Sequence, residues 1–220
     1  MQDIITEIGN YAQNHFLNAR HSHDWDHTIR VHNLCMKIGE AENADMPTLS
    51  IAAYLHDIGR SAQDLSQGKI CHARQGAEMA KDILSKYDLM GRYGNIIHCI
   101  RTHRFRNEDK PETLEARILF DADKLDAIGA IGIARTFAYG GAKNSPIHLP
   151  DQPPVQHDTF EHYKAARSSS INHFHEKLLL LKDRINTPTA HHIAQQRHDF
   201  MLSYLDQFHA EWEGYMTINA

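Results

Sequence analysis

Four residues in three separate stretches carry the side chains that a divalent metal binds. His27 lies in HSHDWDHTIRV (21–31), the adjacent pair His56 and Asp57 in AAYLHDIGR (52–60), and Asp123 in RILFDADKLDAIGAIGIA (117–134). Each stands where a helix would otherwise set an apolar core residue. His27 heads a stripe that continues through Val31, Leu34 and Ile38, and His56 shares a face with Leu49, Ala52 and Ala53. Asp123 has Leu119 at i−4 and Ala127 at i+4. Burial of a lone carboxylate is costly, and a buried imidazole needs a partner. A shared cation would compensate the carboxylates and use the lone pairs of neutral imidazoles. Taken singly, each residue also has a plainer account. The histidines fit hydrogen-bonded core positions, Asp57 fits a turn cap or a pair with Arg60, and Asp123 fits a surface pair with Lys124 or Arg117. Residue patterning alone leaves the two accounts level.

The elements that must position these residues read as helices. Apolar positions recur with a 3.6-residue period over 2–19, and a second helix runs to about residue 43 with Ser22 or Asp24 as its N-cap. Pro47 opens a short third helix that Gly59 ends. SAQDLSQGKI (61–70) reads as a polar loop, followed by helices over 72–87 and 92–104. After the charged connector RNEDKPE (106–112), the pattern is helical from Thr113 to about Tyr139. GGAKNSPIHLPDQPPV (140–155) is a long loop with the character of a lid. Ser170 precedes a helix carrying Ile171, Phe174, Leu178, Leu181 and Ile185, and Thr187-Pro188 opens a final helix ending near Trp212. No segment alternates with period two, so the chain reads as all-α.

Composition narrows the function classes. The chain has 220 residues, enough for one large domain, and 23 basic residues against 28 acidic give a formal charge of −5. That balance argues against a nucleic-acid coat, and helix-turn-helix, RNA-recognition and zinc-finger signatures are absent. Cys35, Cys71 and Cys99 form no CxxC pair and suit free thiols in a reducing cytoplasm. No signal peptide or transmembrane stretch is expected, so the expected location is cytoplasmic. Phe200, Leu202, Leu205, Phe208 and Trp212 give the last helix enough apolar surface to pack on the domain or on a second copy, leaving a homodimer open.

A histidine, an adjacent His-Asp and a distant Asp, set in HDWDHTIRV, YLHDIG and DADKLDAIGAIGIARTFAYGG, resemble the HD superfamily of metal-dependent phosphohydrolases. The resemblance covers roughly residues 20–141 and is strongest to bacterial proteins related to nucleoside triphosphate pyrophosphohydrolases. It implies a single HD-type helical bundle spanning 1–220, with a core at about 20–141, a loop at 140–157 and a C-terminal helical extension at 158–220. It also implies that His27, His56, Asp57 and Asp123 ligate one divalent metal. Two imidazoles and two carboxylates favour Mn²⁺ and suit Fe²⁺, Co²⁺ or Ni²⁺, with Mg²⁺ and Zn²⁺ open. Some members carry two further histidines and a second metal. His72, His98 and His103 lie in the corresponding interval, as pocket residues or as ligands of a second ion.

The expected reaction is hydrolysis of a small phosphorylated substrate, a nucleotide above all, with release of pyrophosphate from a nucleoside triphosphate. Lys124 is the leading candidate to hold phosphate charge, with Arg30, Arg60 and Arg104 behind it. Asp24, His23 and Asp126 are candidate bases, and Asp126 also suits a carboxylate behind a ligand histidine. A 5′-nucleotidase or phosphodiesterase of the same superfamily is the alternative. A metal-stabilised sensor or interaction module without catalysis is the third reading.

Overall fold

The computed structural model describes residues 1–16, 25–104, 109–155 and 168–215, and among them it is all-α with no strand. The helices are α1 (Gln2–Phe16), α2 (Trp25–Glu42), α3 (Met46–Leu55), α4 (Arg60–Leu65), α5 (His72–Leu84), α6 (Tyr93–Thr102), α7 (Leu114–Leu125), α8 (Gly129–Ala142), α9 (Ser170–His173) and α10 (Pro188–Trp212). No described helix is long and apolar enough to cross a membrane. Ser22 and Asp24, the expected caps of α2, lie outside the described residues.

The chain divides into two compact units, Met1–Asp123 with Asn186–Ala190, and Lys124–Ile185 with His191–Ala220. In the first, α3 is the central rod. It packs against α1, α2 and α6, and α5 packs on α4 and α6. A rod with neighbours on several sides must be apolar nearly all round, and Leu49, Ile51, Ala52, Ala53 and Leu55 are all buried. Pro47 supplies the expected start, just inside the Asp45 N-cap. The α2 stripe buries His27, Val31, Cys35 and Ile38 together.

Three expectations fail on backbone grounds. Residues 61–70 are not all loop, because α4 occupies Arg60–Leu65 before the turn at Ser66–Gly68. The helix read from Thr113 to Tyr139 breaks after Leu125. Ile128 is extended (φ −126°, ψ 167°) and Gly129 sits at φ +76°, a left-handed conformation that glycine adopts without a steric penalty. The helix read from Ser170 is α only to His173, then a π turn at Phe174–Leu178 and a 3₁₀ run at Leu179–Arg184. The wide turn followed by the tight one keeps Ile171, Phe174, Leu178, Leu181 and Ile185 all buried.

In the second unit α8 extends to Ala142, three residues into the expected loop. The rest of that loop is tied down. Pro146 and Ile147 carbonyls accept from the Ser170 and Ile171 amides at 3.0 Å each, and Asn172 Nδ2 donates to Gln152 O at 2.9 Å.

Candidate metal centre

The centre is built in the first unit from the ends of helices. His27 sits in the first turn of α2, and Asp123 near the end of α7. His56 is the C-cap of α3, with Asp57 in the turn that leads to α4. His72 begins α5, and His103 is the C-cap of α6. Gly59 lets these ends meet, because a Cβ there would collide with the His72 carbonyl oxygen and the Gly76 backbone. His15 Nε2 reaches the Ile58 carbonyl at 2.9 Å and ties α1 to the same turn.

Asp57 divides the site in two. Its Oδ2 faces His27 Nε2 at 3.8 Å and His56 Nε2 at 3.9 Å. His27 Nε2 is 3.4 Å from His56 Nε2 and 3.5 Å from Asp123 Oδ1. The other oxygen, Oδ1, faces His72 Nε2 at 3.2 Å and His103 Nε2 at 3.5 Å, and those two nitrogens are 3.1 Å apart. His27, His56 and Asp57 are 0–1 % exposed, and His72 and His103 are buried with them. Asp123 is the more open member, at 19 %. Arg60 Nη2 donates to both Asp57 oxygens at 3.1 Å.

The chemistry of these atoms calls for a cation. A carbonyl oxygen only accepts, so Nδ1 of His56, 2.7 Å from Ala53 O, and Nδ1 of His103, 2.7 Å from Ile100 O, carry the ring protons. Gln63 Oε1 takes the same role for His72 at 2.8 Å. The Nε2 lone pairs therefore point inward, at one another and at carboxylate oxygens. Burial reinforces the neutral form. It pushes His56 down to about 4, with Asp57 opposing and His103 and His27 assisting, and it pushes His72 lower still. Two atoms each about 2.1 Å from a common centre stand about 3.0–3.4 Å apart at octahedral to tetrahedral angles. The separations here are close to that, so the residues fit a divalent ion on the Oδ2 side and have the donor set for another on the Oδ1 side.

The remaining candidates separate. His98 does not join the centre; it is half-buried and its Nε2 accepts from the Glu112 amide at 3.0 Å. Asp126 is buried and bonds Arg135 through its carboxylate and its carbonyl. Arg104 donates to Cys71 Sγ at 3.4 Å. Arg30 is half-buried on α2, and Lys124 is buried at the start of the second unit, one residue after Asp123. Asp24 and His23 lie outside the described residues.

Two further residues carry the site without having drawn notice in the sequence. Gln63 sits in a stretch that reads as loop. Asp121 is one of three aspartates in FDADKLD. It is fully buried, and it accepts from the Asn186 amide and Nδ2 at 2.9 and 2.8 Å and from the Thr187 amide and Oγ1 at 2.8 Å each. Its position two residues before Asp123 places it on the opposite helix face. That spacing was the only available signal.

Comparison with known proteins identifies the family. Residues 24–128 match the HD domain family. Protein YpgQ of Bacillus subtilis strain 168 is 32 % identical over 219 residues, 94 % of this chain and 93 % of its own. The crystal structure of an HD-superfamily hydrolase from Bacillus thuringiensis superposes with a TM-score of 0.76 at 34 % identity, covering 96 % of this chain and 98 % of that one. The crystal structure of B. subtilis YpgQ in complex with ADP superposes with a TM-score of 0.71 at 30 % identity, covering 100 % and 98 %. With its helical fold and its cluster of inward-facing imidazoles and carboxylates, the chain belongs to the HD superfamily of metal-dependent phosphohydrolases.

Proposed function

We propose that this protein hydrolyses nucleoside triphosphates to a monophosphate and pyrophosphate, with a divalent cation, Mn²⁺ foremost, held by His27, His56, Asp57 and Asp123. The observation that carries the reading is the set of imidazole nitrogens and carboxylate oxygens facing one another in a buried site, 3.4–3.9 Å apart, the donor set that a divalent cation takes. The ADP complex of YpgQ, a relative along the whole chain, supports a nucleotide as the ligand class. A cation held there supplies Lewis acidity to a phosphate oxygen and lowers the pKa of water.

The chain's own residues do the rest. His56 keeps its ring fixed through the Ala53 carbonyl, so its lone pair stays directed inward. Lys124, next to Asp123, holds phosphate charge, with Arg30 in support. Asp24 is the candidate general base. The salt bridge to Arg135 suits Asp126 to anchoring the start of the second unit rather than to moving a proton.

A second reading within the superfamily has its own observation. His72, His103 and Asp57 Oδ1 form a further donor set that shares the Asp57 carboxylate with the first. Two divalent ions held by these residues would supply positive charge to both the attacking and the leaving oxygen of a phosphoester. That arrangement favours a 5′-nucleotidase or a phosphodiesterase. Phosphorus NMR of the products from a nucleotide panel, run with Mn²⁺, Mg²⁺, Co²⁺ and Ni²⁺, decides between them. Pyrophosphate supports the first reading and inorganic phosphate or diester cleavage the second. Silence across the panel defeats both.

A further inference from the structure

Four histidines of the centre turn Nε2 inward, and three of them, His56, His72 and His103, are not held alike at Nδ1. His56 and His103 are C-cap residues. A helix C-terminus ends in carbonyls without intrahelical partners, and each ring takes one, Ala53 O and Ile100 O, three residues back. Those acceptors are main chain, so no side-chain substitution deletes them. His72 is the first residue of α5. The groups left over at a helix N-terminus are N–H donors, and they offer nothing to an Nδ1 proton. The acceptor therefore comes from a side chain. Gln63 Oε1 is 2.8 Å from His72 Nδ1 and 3.4 Å from the His72 amide.

We propose that Gln63 is a positioning residue that sets the His72 ring, and so decides whether the centre holds a second divalent cation. The inference rests on the two-cation reading above. An amide oxygen accepts only, so it selects the tautomer protonated at Nδ1 and leaves the Nε2 lone pair facing Asp57 Oδ1 at 3.2 Å and His103 Nε2 at 3.1 Å. Without that acceptor, the neutral ring gains by moving its proton to Nε2. There it donates to the His103 lone pair or to Asp57, which fills the space between those acceptors with a hydrogen bond. A proton then occupies the cation's place. Gln63 lies three residues after Arg60 on α4, which bonds both Asp57 oxygens, so one short helix borders the second donor set from two directions.

The test replaces Gln63 with Leu and, separately, with Glu. Mn²⁺ equivalents and affinities are measured by titration of the metal-free protein. The His72 tautomer is read by long-range ¹H–¹⁵N NMR of the same metal-free sample. The expected result is two equivalents in the wild type. Gln63→Leu keeps the first at unchanged affinity, weakens the second by about 10-fold or more, and moves the His72 proton to Nε2. Gln63→Glu, which keeps the acceptor, retains both equivalents. Gln63→Met serves if the Leu variant fails to fold. Two equivalents at wild-type affinity in the apolar variant, or an unmoved tautomer, overturn the proposal. A single equivalent in the wild type defeats the two-cation reading and the claim about the second ion together. The tautomer measurement then still reports whether Gln63 sets the ring, so the two failures are told apart.

Discussion

Two buried carboxylates, Asp57 and Asp121, lie within the same unit and have opposite surroundings. Asp121 accepts four hydrogen bonds, from Asn186 and Thr187, and joins α7 to the start of α10. Arg60 donates to both Asp57 oxygens, which also face Nε2 of His56, His72 and His103, rings whose protons sit on Nδ1. A carboxylate ringed by donors is satisfied by the fold itself. One that faces acceptor nitrogens beside its guanidinium partner gains further stabilisation when a cation is held among them. The first is architecture and the second, on the function proposed above, belongs to a metal site, although both are almost completely excluded from solvent.

The largest expected effect is on the architectural side. Asp121→Ala removes the partner of four donors and should lower stability by about 3 kcal/mol or more, read by urea unfolding. A loss below about 1 kcal/mol would mean that those donors find other partners and that Asp121 and Asp57 differ less than their surroundings imply.

Next is the response to metal. Saturating Mn²⁺ at about 100 times its Kd should stabilise the wild type by about 2.7 kcal/mol and leave Asp57→Ala unmoved in a thermal melt. Asp57→Ala should also abolish turnover while the metal-free protein stays folded. If it unfolds as readily as Asp121→Ala, the centre is a structural staple, and a non-catalytic module becomes the better description.

Acid sharpens the same contrast. Burial lowers the folded pKa of His56 to about 4 against 6.5 for the free side chain, and lowers that of His72 as well. Between pH 6.5 and 4 the unfolded chain binds more protons than the folded one. Stability of the metal-free protein is therefore fully present above about pH 6.5 and falls as the pH drops, by up to about 1.4 kcal/mol per pH unit for each such histidine. Replacing His56 with Gln should flatten that slope in a pH series of unfolding curves. An unchanged slope would place the titration elsewhere.

The smallest effect separates histidines that look alike in the sequence. His98→Ala loses one hydrogen bond at a half-buried site and should cost about 0.5–1 kcal/mol with no change in metal binding. His103→Ala should remove the second Mn²⁺ equivalent. Equal behaviour of the two in a metal titration would erase the distinction.

Helical periodicity and residue chemistry identified the residues that break the apolar stripes, and so brought attention to His27, His56, Asp57 and Asp123. They also made the chain all-α, because a 3.6-residue period is a local property that needs no knowledge of partners. Periodicity tells which face a residue occupies, and it is silent about the residues opposite. That is why His72 and His103, 31 positions apart, could not be told from His98 until α5 was packed against α6. It is also why Asp121 drew no role in the sequence beside Asp123 and Asp126, when it holds the Asn186–Thr187 segment, Asp123 faces His27 and Asp126 holds Arg135. The helix break at Ile128–Gly129 escaped for a related reason. Glycine tolerates both helix and left-handed turn, so composition does not choose between them. Sequence alone settled which residues are out of place in a core. Only tertiary structure decided which of them face donors and which face one another, because that depends on contacts between elements distant along the chain.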